Sequence, residues 1–355
     1  MRILLDPDPP FVRWYRGADG GPRTGRAVLG PGLLAALGKG AAGPERASSI
    51  GYRLHHGGDS IRRPAARVTP RLLDAVRETV GLLPDHNELT FQAMRFMMKA
   101  APMVPHILMC DTAFFLGMPA AAGVYAVPAG LRGRGARRYG GRGLLHQWAW
   151  RKASGLCGGK IGRMISIQLG DHPNLAALKD GRPADTTMGF TPVEGIPSRT
   201  SCGDIDASVV FELQSSGMSL SDINELLSAR SGFGALAGKP CGFRDLLGAD
   251  GGPGTALARE ILIYDIVKSA GAFAAVLGGA DAVVFAAENP ARSAPFILRI
   301  CRRLGFLGLD AGGIRSASGD GAVFSTRGSR MKGVVLKDDA WRILSERAAA
   351  VERGN

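Results

Sequence analysis

The sequence predicts an α/β protein with mixed sheets. Short apolar runs that stop at polar or glycine punctuation recur along the chain, and helical patterns lie between them. The runs are residues 3–5, 106–110, 164–170, 208–213 and 281–287, each read as a strand. Their glycine-rich joints to helices are the places where α/β proteins usually seat ligands.

The first run, 3–5, ends in DPDPPF, where Asp6 and Asp8 alternate with Pro7, Pro9 and Pro10, so the strand is expected to break there. Residues 17–43 are rich in glycine and alanine without a pattern and read as loop with one short helix. The longest uncharged stretch, 112–131, is interrupted by Gly117, Pro119, Gly123, Pro128 and Gly130, which fits a loop-rich interior segment and not a membrane span. Ser219 with Asp222 three residues on reads as a capping box that opens a helix through Ala229, with Gly232 beyond its end. Residues 260–277 present a broad apolar face, and Gly278-Gly279 can stop that helix before the strand 281–287. The chain has no tandem repeat of short period.

With 355 residues and 45% hydrophobic content the chain has room for two domains, each with its own core. Lysine and arginine exceed aspartate and glutamate by 44 − 31 = 13, a balance that favours anionic ligands. Five cysteines without a CxxC pair point to reduced thiols in a cytoplasmic protein, and away from a disulfide framework or a zinc site. The N-terminus lacks the basic and apolar regions of an export signal.

Several stretches in order resemble the acetate and propionate kinase family: YRLHHGGD (52–59), LLPDHN (82–87), CDTAFF (110–115), YAVP (125–128), RRYGGRGLLH (137–146), DTTMGFTPVEG (185–195) and GDID (203–206). RSGFGALAG (230–238) and GGADAVVF (278–285) continue the register. The resemblance implies the two-domain actin-like fold of the acetate and sugar kinase, chaperone and actin superfamily, with an interdomain cleft that closes over a nucleotide. It implies a shortened N-terminal domain over 1–140, a C-terminal domain that carries the homodimer contact over 141–335, and a C-terminal helix over 336–355. It also implies a reaction that interconverts ATP and a short carboxylate with ADP and an acyl phosphate, with Mg²⁺ as cofactor.

The same resemblance assigns site residues. Arg53 falls on the substrate-binding arginine, a guanidinium suited to gripping a carboxylate bidentately. His86 falls on the active-site histidine and Asp111 on the essential, metal-holding aspartate. Arg142 stands where the family has a histidine against the transferring phosphoryl group. A second family arginine aligns with Ser201, and Arg199, two positions away on an extended segment, shares its face. The apolar positions around the acetyl methyl group read His55, Asp85 and Gly141, and only Pro192 of the FTP turn persists. A buried methyl group contributes about 0.8 kcal/mol, much of which a histidine and an aspartate forfeit, so an acid other than acetate is expected.

On the nucleotide side the family's first strand runs into an NAGSSS-like hairpin that offers backbone amides to phosphate, where this chain has DPDPPF. Prolines have no N–H, and Asp6 and Asp8 repel phosphate, although Asp6 is a possible Mg²⁺ ligand. The family's HLGNGAS loop reads QLGDHPN here, and Gly170 is its remaining glycine. The adenosine loop aligns with 288–293 and has lost its glycines. Arg244 of the ribose-contacting segment is kept, beside Gly242 in place of an aspartate. A late metal-binding glutamate aligns with Asp339 or Ala340. Two readings follow: a carboxylate kinase with weakened ATP use, or a pseudokinase that acts as a binding or scaffold protein. RGRGARRYGGRG (132–143) resembles an arginine-glycine tract, and a basic solvated loop ranks above nucleic-acid binding.

Overall fold

The computed structural model describes residues 1–17, 23–38, 43–248, 251–314 and 321–354. They form two compact units: one of residues 1–116, 141–145 and the C-terminal residues from Asp339, the other of residues 117–140 and 146–338. The division therefore differs from a single boundary at 140. Residues 117–140 join the second unit, and the C-terminal helix (Ala340–Glu352) belongs to the first.

The first unit contains β1 (Arg2–Asp8), β2 (Phe11–Gly17), β3 (Arg23–Ala27), α1 (Pro31–Leu37), β4 (Ser49–Leu54), β5 (Ala65–Arg67), α2 (Pro70–Glu78), α3 (Pro84–Ala100) and β6 (His106–Cys110). Its sheet runs β3-β2-β1-β4-β6-β5. β1, β4 and β6 are parallel neighbours, and the other pairs are antiparallel. Strands at the centre of a parallel array are covered on both faces and need side chains that tolerate burial throughout, which β4 and β6 supply at every position. The core gathers Ile3, Leu5, Ile50, Tyr52, Met94 and Leu108. The C-terminal helix is tied to this unit by Arg2 and Glu352, 2.6 Å apart, and by Trp341 stacked on Tyr15.

Two expectations fail here. β1 does not break after Leu5, because Asp6, Pro7 and Asp8 keep register with Arg13, Val12 and Phe11. The stretch 17–43 contains a strand, β3, besides its short helix; residues 18–22 and 39–42 lie outside the described residues. β3 pairs with β2 from Val12↔Ala27 to Arg16↔Arg23, so a polar pentapeptide is extended by its neighbour and not by its own propensity.

From residue 117 onward come α4 (Ala120–Gly123), α5 (Ala129–Arg132), α6 (Gly143–Leu156), β7 (Arg163–Gln168), β8 (Asn174–Lys179), β9 (Arg182–Thr186), α7 (Ala207–Ser215), α8 (Leu220–Ala229), α9 (Gly232–Ala237), α10 (Phe243–Leu246), α11 (Gly252–Leu277), β10 (Ala282–Ala287), α12 (Pro290–Arg303), β11 (Gly321–Val323) and β12 (Lys332–Lys337). The second sheet runs β9-β8-β7-β10-β12-β11, with β7, β10 and β12 parallel neighbours. Strand for strand this repeats the order of the first sheet: a meander of three strands, then parallel partners reached by crossovers, with an antiparallel strand at the far edge.

The run 208–213 is helix α7 and not a strand. Asp206 caps it by accepting from Ser208 N at 2.8 Å, and Val209 and Phe211 remain exposed, so the apolar run never enters a sheet. Ser219 caps α8 as expected, accepting from Asp222 N at 3.1 Å. α11 stops at Gly278, whose φ of 69° is the left-handed conformation that glycine adopts cheaply. Among the described residues no helix is long and apolar enough to cross a membrane.

Candidate active site

In the first unit the ends of β1, β4 and β6 bring three buried charged side chains together. Arg53 donates from Nε to Asp111 Oδ2 at 2.8 Å, with Nη2 at 2.8 Å from the same oxygen, and Nη1 lies 3.4 Å from Asp6 Oδ2. Asp6 and Asp111 are each 1% exposed and Arg53 4%. Burial pushes the Asp6 carboxyl up, but Arg53, His55 and Arg13 outweigh it and hold the group well below the usual carboxylate range. Asp6 therefore stays ionised and acts only as an acceptor. Its other oxygen, Oδ1, accepts from His55 Nε2 at 3.2 Å, and Arg13 Nη2 lies 3.0 Å from Oδ2. The His55 ring meets His86 edge to face at 5.1 Å. The Thr90 hydroxyl lies 3.0 Å from the carbonyl of Arg53 and 3.1 Å from that of His86, which ties α3 to this strand end. Asn87 adds a second tie, donating to the carbonyls of His56 and Thr79.

The segment 141–145 closes this group. Leu144 N lies 3.3 Å from Asp111 Oδ1, so the carboxylate is gripped by a guanidinium on one side and a backbone amide on the other. Gly143 permits the approach: a Cβ there would stand 2.3 Å from the Asp111 carbonyl oxygen. Arg142 precedes it with φ 54°, the left-handed region, at the turn into α6. Asp85 is exposed in the first turn of α3, where a carboxylate complements the helix dipole. Asp339 is the N-cap of the C-terminal helix, its Oδ1 accepting from Arg342 N at 3.0 Å. The amide of Leu144 and the Asp6–Arg13 contact were not anticipated from the sequence; Gly143, a glycine just before an apolar helix, was the available signal.

The remaining assigned residues belong to the second unit. Gly170 follows β7 with φ 154°, and no atom lies within 4 Å of the place a Cβ would take, so its backbone faces open space. Asp171, next in the chain, accepts from Phe243 N at 2.8 Å and from Arg199 N, through its carbonyl, at 2.7 Å, and Arg199 Nη1 lies 3.6 Å from its carboxylate. The side chain of Ser201 is turned to Ser198, 2.6 Å away. Arg244 pairs with both oxygens of Glu288, at 2.9 and 3.0 Å, on the surface. Beside it lies a cleft of about 610 Å³ lined by Lys239, Arg244, Asp245, Thr255 and Arg292. Pro192 is exposed, in the loop where Glu194 binds Tyr125 and, at 3.0 Å, Arg138.

The fit to a nucleotide is uneven. The first hairpin offers no N–H at Pro7, Pro9 or Pro10. The open backbone at Gly170 and the basic cleft beside Arg244 suit an anionic ligand. For Mg²⁺ the buried carboxylate of Asp111 is a suitable hard-oxygen donor, since this ion needs one or two carboxylates and otherwise keeps water and phosphate oxygens. Among the described residues no group of three or more histidine, cysteine, aspartate or glutamate side chains is placed to hold a metal ion.

Two mixed sheets of matching strand order, flanked by helices, with a charged group at the strand ends, define the two-domain actin-like class. The model of the acetokinase family matches residues 38–345, and the chain belongs to that family. It is 34% identical over 299 residues to an acetate kinase of Carboxydothermus hydrogenoformans, covering 82% of this chain and 75% of the relative. An acetate kinase of Micrococcus luteus is 32% identical over 373 residues, with 95% of each chain covered. Among solved structures, Porphyromonas gingivalis acetate kinase superposes with a TM-score of 0.84 at 25% identity, over 99% of both chains. A propionate kinase of Francisella tularensis shares the fold, with a TM-score of 0.85 at 21% identity and 98% of both chains covered.

Proposed function

We propose that the chain is a carboxylate kinase that exchanges a phosphoryl group between ATP and a short organic acid other than acetate, forming an acyl phosphate and ADP. The observation that carries this reading is the buried group of Arg53, Asp111 and Asp6 with the Leu144 amide directed at Asp111. Phosphoryl transfer asks a protein mainly for positioning and charge compensation. Arg53 orients the acid, Asp111 would hold Mg²⁺, and Arg142 and His86 compensate the charge of the transferring group. Bound Mg²⁺ supplies charge neutralisation on the phosphate oxygens. Gly170 and Arg244 would hold the nucleotide, more weakly than glycine-rich loops do. The acid differs from acetate because His55 replaces an apolar wall. The protein acts as a homodimer through its second unit, where the long helix α11 exposes Leu257, Tyr264 and Val276.

A second reading, a pseudokinase that binds an anion or a partner without turnover, draws on one observation. Arg53 already serves two carboxylates, so a substrate carboxylate must compete for it. One experiment separates the readings: the protein is incubated with Mg-ATP, hydroxylamine and a panel of short acids, and melted with and without Mg-ATP. The kinase yields hydroxamate with an acid other than acetate at a higher rate than with acetate. Its melting temperature rises with Mg-ATP, since ligand at roughly a hundred times its Kd adds about 2.7 kcal/mol. No hydroxamate with any acid and no thermal shift sinks the kinase.

A further inference from the structure

The position that would line an acyl pocket, His55, is not merely polar; it is held. Its Nε2 donates to Asp6 Oδ1 at 3.2 Å, while Arg53 Nη1 approaches the other oxygen of the same carboxylate. Asp6 is itself buried and accepts on both oxygens, so one carboxylate fixes the imidazole and the guanidinium relative to each other. Arg53 and His55 are two residues apart at the end of β4, which places them on one face. The contact with His86 limits rotation of the ring from the other side.

An acceptor such as Asp6 leaves the Nε2 proton on the ring, so in the neutral imidazole Nδ1 is the acceptor. The His55 side chain is 24% exposed, against 5% for Arg53 and 2% for Asp6, so His55 is the member of this trio most open to a ligand. A ligand that sits on it gains by offering a donor next to its carboxylate, and an alkyl acid strips water from the imidazole without replacing it. We propose that the site selects short hydroxy acids over alkyl acids of the same length, and that His55, positioned by Asp6, is the selecting residue. This deepens the carboxylate kinase reading and rests on it for the identity of the site. The carboxylate remains the phosphoryl acceptor: an oxygen of the acid forms the new bond to phosphorus, the bond from that phosphorus to ADP breaks, and no proton is transferred. The hydroxyl is an anchor only.

The test uses matched pairs, lactate with propionate and glycolate with acetate, on the full chain. Calorimetric titration of each acid without nucleotide is paired with hydroxamate kinetics in Mg-ATP. Wild type is expected to favour the hydroxy acid by about tenfold in Kd and in kcat/KM, a factor that corresponds to about 1.4 kcal/mol. His55→Val abolishes or reverses the ratio. His55→Gln, which keeps a donor for Asp6 and an acceptor for the ligand, retains most of it. Equal binding of each pair by wild type, or a ratio untouched in His55→Val while His55→Gln is folded and active, overturns the assignment. Hydroxylamine-resistant phosphorylated product also overturns it, since the hydroxyl would then be the acceptor. A binding preference without hydroxamate from any acid supports the selector and removes the kinase reading. Hydroxamate formed without preference does the opposite.

Discussion

In the first unit β1 and β2 stay paired up to Asp8 opposite Phe11, and Pro9 and Pro10 close the hairpin. In the second unit the equivalent meander stops pairing at Gln168 opposite Asn174, and residues 169–173 form a loop whose second residue is the open Gly170. The same strand order thus carries a closed turn without amide donors in one unit and an open, glycine-bearing bend in the other. The charges differ in the same sense. Asp6, Arg53 and Asp111 are buried and mutually satisfied, and removing one member of a buried charged pair typically costs about 3–5 kcal/mol. The Arg244–Glu288 pair lies in water, where an ion pair holds weakly and a ligand displaces it easily. The charged groups of the first unit are buried and pair with one another, whereas the Arg244–Glu288 pair of the second is open to solvent.

The largest expected effect comes from breaking the fixed centre. Asp111 receives Arg53 on Oδ2 and the Leu144 amide on Oδ1, so Asp111→Asn keeps the shape but must turn an NH₂ toward one of two donors. Acyl phosphate formation should fall by at least about 10²-fold, the scale of losing a preorganised electrostatic group. Thermal unfolding should remain cooperative at a lower midpoint. Unchanged turnover in the hydroxamate assay removes Asp111 from the chemistry.

Much of the scaffold was readable. The runs 3–5, 106–110, 164–170 and 281–287 are strands or lie mostly within them, and the cap at Ser219 and the stop at Gly278 act as their residue types dictate. What the sequence hid is non-local. β3 is polar and extended only because β2 pairs with it, and 208–213 has the composition of a strand but a cap and an exposed position that make it a helix. At the site, motif order indicated Arg53, His86 and Asp111. Nothing local tells that Asp6, 47 positions before Arg53, shares its guanidinium with Asp111, since parallel pairing of β1, β4 and β6 creates that meeting. A backbone donor such as Leu144 N leaves no mark in the sequence beyond the small residue beside it.

A middle-sized effect tests the contrast between the hairpins. Replacing Pro9-Pro10 by Gly-Ser restores two N–H groups at the turn and frees the backbone. If the closed turn is what weakens nucleotide binding in the first unit, Mg-ATP should bind several-fold more tightly, the scale of a net hydrogen bond of about 1 kcal/mol. The unliganded protein should melt lower, because proline restricts the unfolded chain and glycine does not. Equal Mg-ATP affinity in calorimetry, with the stability loss present, shows that the closed turn does not limit nucleotide binding.

The smallest effect separates two of the buried histidines, His106 of the first unit and His146 of the second. His146 donates from Nε2 to Asn174 Oδ1 at 2.7 Å and accepts from the Ser166 hydroxyl at 2.8 Å. His106 accepts from the Tyr52 hydroxyl at 2.6 Å and donates to the Ala101 carbonyl at 3.1 Å. Burial pushes the His106 imidazole below its ordinary value of 6.5, and the Ala101 carbonyl restores only part of that; burial pushes the Tyr52 hydroxyl well up, which keeps it a neutral donor. A lowered folded value means that the unfolded chain binds the proton first, so stability falls as pH drops below about 6.5 and is unaffected by this group above it. Asp6 adds its own loss only in stronger acid: its folded value is depressed, so its contribution is complete above the unfolded value of 3.8 and fades below it. Melting curves should therefore show a shallow decline that sets in below about pH 6.5, well before the acid loss that Asp6 contributes. In His106→Gln, less stable at neutral pH, the shallow step should disappear while the acid loss remains. If the step persists unchanged in that variant, it arises from another group, and the Tyr52–His106 pair has no part in the pH response of the first unit.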